Sequence, residues 1–397
     1  MTSPGSTREL FDDATIRSLR RRLLAWYRTN ARDLPWRRTR DPYRVWLSEM
    51  LLQQTRVETA TAYYQRFITR WPTIEALASA NLDDVLAMWA GLGYYRRARF
   101  LHQTARQIAD RSPARFPRDP ADLRRLPGIG RYTAGAIASI AFGKAAAAVD
   151  GNALRVLARL AAIETPIDNP ATQRRIWTLA GHLLSPRHPG EFNQALMELG
   201  ASHCRSGPPR CTACPLATFC EARRRGLTTR LPVRTPRAEP LPVEAAAVAV
   251  WRRGRLLLVQ RPPDGLLARM WGLPAVELPP GADAETQLLA HLRERLGLSI
   301  RLHHTLGEVT HGFTHRRLRL RVYEGRARAG RLRTHGYLAA VWTAPERSAP
   351  AAVRSATPDP RPARSRPSGL ALSTLDRKAL ALVWAESRQR SPGSTRG

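Results

Sequence analysis

The sequence predicts a multidomain chain, with an all-α domain first, an α+β module second and a low-complexity tail. Three observations predict it. Between Ala14 and about Arg225, apolar residues recur at three- and four-residue spacing, punctuated by Pro and Gly. After a proline-rich stretch the composition changes to short apolar runs separated by turn residues. At 397 residues the chain exceeds the usual single-domain length. The expected boundaries are residues 14–227 for the helical domain, 228–242 for the linker, 243–346 for the α+β module and 347–397 for a Pro- and Arg-rich tail.

The linker carries Pro232, Pro236, Pro240 and Pro242 with few apolar residues between them, a semi-rigid composition. Ala245 to Trp251 and Arg255 to Gln260 flank Arg252-Arg253-Gly254, which reads as a β-hairpin. A helix spans Ala284 to Leu296 and stops at Gly297. Strand-like runs follow at Leu302 to Thr310 and Arg317 to Tyr323. From Trp342 to about Ser368 the low complexity and high charge predict disorder, and residues 373–386 predict one more helix. The hexapeptide Ser-Pro-Gly-Ser-Thr-Arg at 3–8 and again at 391–396 has no physical account.

Basic residues outnumber acidic ones 64 to 32, a formal net charge of +32, which favours a polyanionic partner, nucleic acid before anionic membrane. Only Lys144 and Lys378 are lysines, so the charge is almost all arginine and permits such a partner without proving one. The first thirteen residues lack the apolar core of a signal peptide, and no stretch reaches the roughly 18 apolar residues of a membrane span. A soluble, cytoplasmic, nucleoid-associated protein of bacterial type, monomeric and without a membrane partner, is the expectation. All four cysteines lie between Cys204 and Cys220, too concentrated for a disulfide framework and suited to metal ligation.

In Asp41-Pro42-Tyr43-Arg44-Val45-Trp46-Leu47-Ser48-Glu49, Asp41 is placed to cap a helix and Pro42 to open it. Glu49 then has Val45 and Trp46 one turn back, and Leu52 and Gln53 one turn ahead. Two readings are open. Glu49 is either an exposed glutamate at the edge of an amphipathic helix, or a buried carboxyl whose pKa rises until it serves as a general acid.

Leu126-Pro127-Gly128-Ile129-Gly130-Arg131-Tyr132 places two glycines in a turn before an apolar helix, the helix-hairpin-helix pattern, whose free amides suit a phosphate. A plain turn between packed helices is the other reading. Asp150, in Val149-Asp150-Gly151-Asn152, either caps the next helix or faces a sugar from which a base departs, where a carboxylate stabilises an oxocarbenium-like transition state.

Cys204, Cys211, Cys214 and Cys220 form a C-x6-C-x2-C-x5-C array. Zinc and a four-iron cluster both match the ligand count. Zinc sites usually pair two Cys-x2-Cys units and this array has one, so the spacing favours iron–sulfur.

Taken in order, from about Asp33 to Cys220, these elements resemble the iron–sulfur branch of the helix-hairpin-helix glycosylase superfamily, which contains endonuclease III and the adenine glycosylases of the MutY family. One position separates those two. Endonuclease III carries a lysine nucleophile two residues beyond the hairpin's last glycine; here that residue is Tyr132, and Lys144 lies at the far end of the next helix. A lyase needs an amine. The resemblance therefore implies a monofunctional adenine glycosylase with a [4Fe-4S] cluster on the four cysteines. Its partner would be double-stranded DNA holding adenine opposite 8-oxoguanine or guanine. Glu49 would protonate adenine at N7, and Asp150, helped by Asn152, would stabilise the sugar cation, with Tyr132 supporting the site. Arg37 and Gln194 would line the flipped base's pocket. Gln54, Thr55, Leu92 and Tyr94 would probe or wedge the stack, and Gly128 and Gly130 would hold the backbone. For Gly91 to Tyr95, a loop with a packed aromatic is the plainer alternative.

The second module resembles a Nudix fold, through Leu257-Leu258-Val259-Gln260-Arg261-Pro262 and Met270-Trp271-Gly272-Leu273-Pro274. A Nudix hydrolase needs a carboxylate cluster, and the run Ala290 to Gly297 keeps one of three acids, Glu294. The resemblance implies a module that reads 8-oxoguanine through Phe313, Thr314 and His315, with Thr in place of the family's Ser.

Overall fold

A computed structural model describes residues 11–111, 115–236, 238–344 and 370–389. Most of the stretch expected to be disordered, and both copies of the hexapeptide, lie outside the described residues. The chain divides into two compact units, Met1–Ser79 with Phe100–Arg237, and Ala80–Arg99 with Ala238–Gly397.

The elements run α1 (Asp13–Asn30), a 3-10 turn (Pro35–Arg38), α2 (Pro42–Leu52), α3 (Val57–Arg70), α4 (Ile74–Ala78), α5 (Leu82–Trp89), α6 (Arg96–Ala109), α7 (Pro120–Leu123), α8 (Arg131–Ile140), α9 (Gly151–Leu160), α10 (Pro170–Leu183), α11 (Pro189–Ser202) and α12 (Glu221–Arg224). Several starts share one local device: Asp41-Pro42, Asp119-Pro120 and Asn169-Pro170 each join a side-chain acceptor for the first free amides to a proline that needs no amide partner. Helices α1, α9, α10 and α11 enclose a core that includes Leu19, Leu23, Leu157, Ile176, Leu183, Phe192 and Leu196. Each such burial contributes roughly 1.5–3 kcal/mol. Gly200 lets α9 and α11 touch, since a Cβ there would stand 2.7 Å from the Asn152 side chain.

In the second unit, β1 (Leu241–Arg252), β2 (Arg255–Gln260), β3 (Trp271–Gly272), β4 (Ala275–Glu277), β5 (Ser299–Gly312), β6 (Arg316–Ala329) and β7 (Ala339–Thr343) form one mixed sheet, with α13 (Ala284–Leu296) and α14 (Thr374–Gln389). The strand order is β3-β2-β1-β6-β5, with β4 on β1 and β7 on β2; β1 and β6 are parallel. Along β1, Ala245, Ala247 and Ala249 face one core, shared with α14, while Ala246, Val248 and Val250 face the other, shared with α13. A strand covered on both faces reads as an unbroken apolar run, which is what the sequence shows there.

Three features differ from the sequence expectation. Residues 80–99 do not group with the helical unit. Asp83 Oδ1 accepts from Arg269 at 3.1 Å, its Oδ2 accepts from Gln260 at 3.2 Å, and Arg99 donates to the Ala268 carbonyl at 3.2 Å. The linker is shorter than 228–242. Leu231 packs with Ala162 and Ala222, the Val233 carbonyl accepts from the Ile167 amide, and Leu241 and Pro242 already pair with β6. The tail helix belongs to the second module, because Leu375, Ala379, Leu380 and Trp384 enter its core and Asp376 receives a forked pair of hydrogen bonds from Arg261 at 2.6 and 3.0 Å. Among the described residues, no helix is long and apolar enough to cross a membrane.

Candidate active site

Helix α2 is apolar nearly all round and is buried from Val45 to Leu51, so it carries Glu49 inward, to 5% exposure. The exposed-edge reading of Glu49 does not hold. Its carboxyl lines a cavity of about 710 Å³ in the first unit, together with Tyr132, Asp150, Asn152, Arg37 and Gln194. Tyr132 Oη donates to Glu49 Oε2. Burial pushes the Glu49 pKa up to about 7, helped by the nearby Asp150 charge and opposed by the Tyr132 hydrogen bond and by Arg37. At neutral pH a large fraction of this carboxyl is therefore in the acid form.

Asp150 caps the next helix, as one reading of its sequence position had it, and it also lines the cavity with Glu49. Its Oδ1 caps α9, accepting from the Asn152 and Ala153 amides at 3.0 and 2.7 Å, while Oδ2 accepts from Asn152 Nδ2 at 2.9 Å. Burial raises its pKa, and these hydrogen bonds and Arg155 pull the other way. Both carboxyls line the cavity and burial raises both; the donors around Asp150 hold its upward shift down, and Glu49 has, among the described residues, a single opposing hydrogen bond, from Tyr132.

The floor of the cavity holds a group that sequence reasoning missed. Glu198, 1% exposed, takes a bidentate pair from Arg32 at 2.6 and 3.1 Å and a third bond from Arg37 at 2.7 Å. Burial raises its pKa, but those guanidinium bonds outweigh burial and the net shift is downward. The signal was present: Glu198 lies four residues after Gln194 on α11, on the same face.

Gln54 and Thr55 also line the cavity, and Gln54 sits in the left-handed region at φ 57°. The hairpin has Gly128 at φ 73°, where a Cβ would stand 2.7 Å from Phe100 Cβ. Gly130 is the N-cap of α8 and offers no side-chain acceptor to the amides that follow. No lysine lines the cavity among the described residues.

In the second unit, Tyr94 is 51% exposed with φ 48°, whereas Leu92 and Tyr95 are packed away. Tyr95 is thus the packed aromatic of the plainer reading, Tyr94 projects from the loop, and Leu92, expected to probe the stack, is buried instead. Phe313, Thr314 and His315 form the turn between β5 and β6, with Phe313 edge-on to His311 and Thr314 exposed. Tyr94 Oη and Thr314 Oγ1 are 3.1 Å apart. On α13, His291 stands where a Nudix hydrolase carries an acid, and its Nε2 is 2.7 Å from Tyr337 Oη.

Cys204, Cys211, Cys214 and Cys220 line one small cavity of about 30 Å³. Burial raises the pKa of Cys214 to about 11 and raises that of Cys220. Among the described residues no three of them converge as on a single metal ion. Two arginines of α9 clasp this loop. Arg159 donates to Cys204 Sγ at 3.3 Å and to the Arg205 carbonyl at 2.8 Å. Arg155 donates to the Cys204 carbonyl, Asn152 Oδ1 and the Gly200 carbonyl at 2.7, 2.7 and 2.8 Å.

Comparison with known proteins places residues 47–181 in the family described as HhH-GPD superfamily base excision DNA repair protein, and residues 245–358 in the NUDIX domain family. The chain is 38% identical over 380 residues to an adenine DNA glycosylase of Rattus norvegicus, covering 81% of this chain and 73% of that one. It is 38% identical over 375 residues to one of Homo sapiens, covering 80% and 69%. Against one of Arabidopsis thaliana it is 39% identical over 371 residues and spans 58% of the relative's length.

Proposed function

The chain belongs to the adenine DNA glycosylase family, and on that premise we propose that it hydrolyses the N-glycosidic bond of adenine mispaired with 8-oxoguanine or guanine in duplex DNA. The observation that carries the reading is the buried Glu49, with a pKa near 7, facing the same cavity as Asp150. The glycosidic bond is out of reach inside a stacked duplex, so the nucleotide must be flipped into the cavity. Purine is a poor leaving group, and protonation by Glu49 lets it depart neutral. Asp150, whose donors and Arg155 oppose the upward pull of burial on its pKa, stabilises the cation that develops on the sugar until water adds. Asn152 holds Asp150, and Tyr132 holds Glu49.

Glu198, Arg37 and Gln194 supply the polar edge that sorts bases. Held as a carboxylate, Glu198 accepts from an exocyclic amine, which adenine has and thymine lacks. Tyr132 in place of a lysine leaves no amine for Schiff-base chemistry at the hairpin, which supports base removal without strand cleavage. Thr314, bonded to the exposed Tyr94, supports a reading loop directed at the opposing purine.

The four cysteines fit a [4Fe-4S] cluster. Four thiols line one cavity, and Arg155 and Arg159 place positive charge beside them. Such a cluster, when bound, would order the loop from Cys204 to Cys220.

The test is a duplex with one central A:8-oxoguanine pair, with A:T and thymine glycol duplexes as controls. Adenine release that becomes a strand break only after alkali is expected. Cleavage of thymine glycol without alkali would assign a lyase instead.

A further inference from the structure

Beside the base cavity lies a second one of about 370 Å³, within the range of roughly 300–1,000 Å³ that accommodates small ligands. Arg37, Ile140 and Gln194 line both, so the partition between them is made of side chains. Helix α8 orders the two along one axis. Tyr132, in its first turn beside the hairpin, faces the catalytic acid; Ile140 lies about 12 Å further along, and Gly143, just past the helix end, lines only the second cavity.

We infer that this second cavity, bounded by Thr39, Arg40, Gly143, Arg187 and the Arg37–Gln194 partition, is the route by which the free purine base leaves while DNA still covers the mouth of the first. The inference rests on the glycosylase reading above. A flipped base enters attached to its sugar, and once the C1′–N9 bond breaks the sugar and strand remain at the mouth. The base then waits for the DNA to dissociate or passes through another opening.

The two halves of the partition differ in how firmly they are held. Arg37 is anchored by bonds to the Arg32 carbonyl at 3.0 Å and to Glu198 at 2.7 Å. Gln194 makes, among the described residues, one long hydrogen bond, Nε2 to the Gly190 carbonyl at 3.3 Å. Gln194 is therefore the part that swings. The far chamber suits a neutral purine, with the Thr39 hydroxyl, the Gln194 amide and guanidinium donors around it.

The experiment is a single-turnover reaction of the full chain on a duplex carrying radiolabelled adenine opposite 8-oxoguanine, sampled in two ways. Alkaline cleavage reports bond breaking, and rapid gel filtration reports label still held by the protein–abasic DNA complex. Wild type should shed adenine before it sheds DNA. Thr39→Trp and, independently, Arg187→Trp, which each add bulk to the chamber's lining, should keep the cleavage rate within about twofold yet slow loss of label by about tenfold or more. An unchanged cleavage rate also reports that each variant is folded. Adenine leaving wild type only together with the DNA, or leaving both filled variants as fast as wild type, overturns the route. Absence of base release from any duplex overturns the glycosylase reading, and the route with it.

Discussion

Tyr132 Oη donates its hydrogen bond to Glu49 Oε2 inside the cavity, so the phenol stabilises the carboxylate against the burial that favours the acid. Removing that bond in Tyr132→Phe raises the Glu49 pKa further. The acid form is the active one, so the rate falls as pH rises through that pKa. The descending limb of the single-turnover pH–rate profile, centred near pH 7 in wild type, should move to higher pH in the variant. A limb that stays put or moves down would separate Tyr132 from the acid.

Glu49→Gln should lower base release by at least about 100-fold. It should also change how stability depends on pH. With a folded pKa of about 7 against an ordinary 4.5, the native state binds the proton more tightly than the unfolded chain. Stability is therefore full below the unfolded value and declines until pH passes the folded one, by up to ~3 kcal/mol. Denaturant titrations at about pH 5 and about pH 8 should show that decline in wild type and a smaller one in the glutamine variant. Equal declines would mean that Glu49 does not titrate as its burial implies.

Arg155 joins the cysteine loop to the active-site aspartate, since one guanidinium bonds the Cys204 carbonyl and the Asn152 side chain that holds Asp150. Arg155→Leu should cost about 1–3 kcal/mol of stability and about 10–100-fold in base release. Arg155→Lys should recover little, because an ammonium cannot span the same acceptors. Base-release rates measured alongside bound iron would check this. Full activity in Arg155→Leu at normal iron content would show that the link positions nothing.

At Gly128, alanine meets both the positive φ and the Phe100 ring. Gly128→Ala should destabilise by about 1–3 kcal/mol and weaken binding to undamaged duplex, read by fluorescence anisotropy. Unchanged affinity would remove the hairpin from the DNA interface.

Tyr94 and Thr314 share a hydrogen bond although 220 residues apart. A double-mutant cycle with Tyr94→Phe and Thr314→Val should give a coupling of about 0.5–1.5 kcal/mol in the preference for adenine opposite 8-oxoguanine over adenine opposite guanine. Additive effects would mean that the two side chains act separately.

Local chemistry was legible in the sequence. Asp41-Pro42 starts α2, Gly297 ends α13, and Arg253-Gly254 turns the β1–β2 hairpin. The cysteine spacing, and Tyr132 where a lyase needs lysine, are likewise questions of residue identity that no fold has to answer. Caps, turns and ligand spacings involve neighbours a few residues apart, and short-range sterics and hydrogen bonding decide them.

Tertiary structure decided what depends on distant groups. The α2 segment alone allowed Glu49 to be exposed; α8 and α9 bring Tyr132 and Asp150 to it, and desolvation then sets its pKa. Glu198 became a carboxylate in the cavity wall through Arg32 and Arg37, more than 160 residues earlier. Residues 80–99 joined the second unit through Asp83, Tyr94 and Arg99 rather than through any periodicity of their own. Burial and charge pairing are properties of the assembled surroundings, and the period of a helix says which residues share a face without saying what that face will meet.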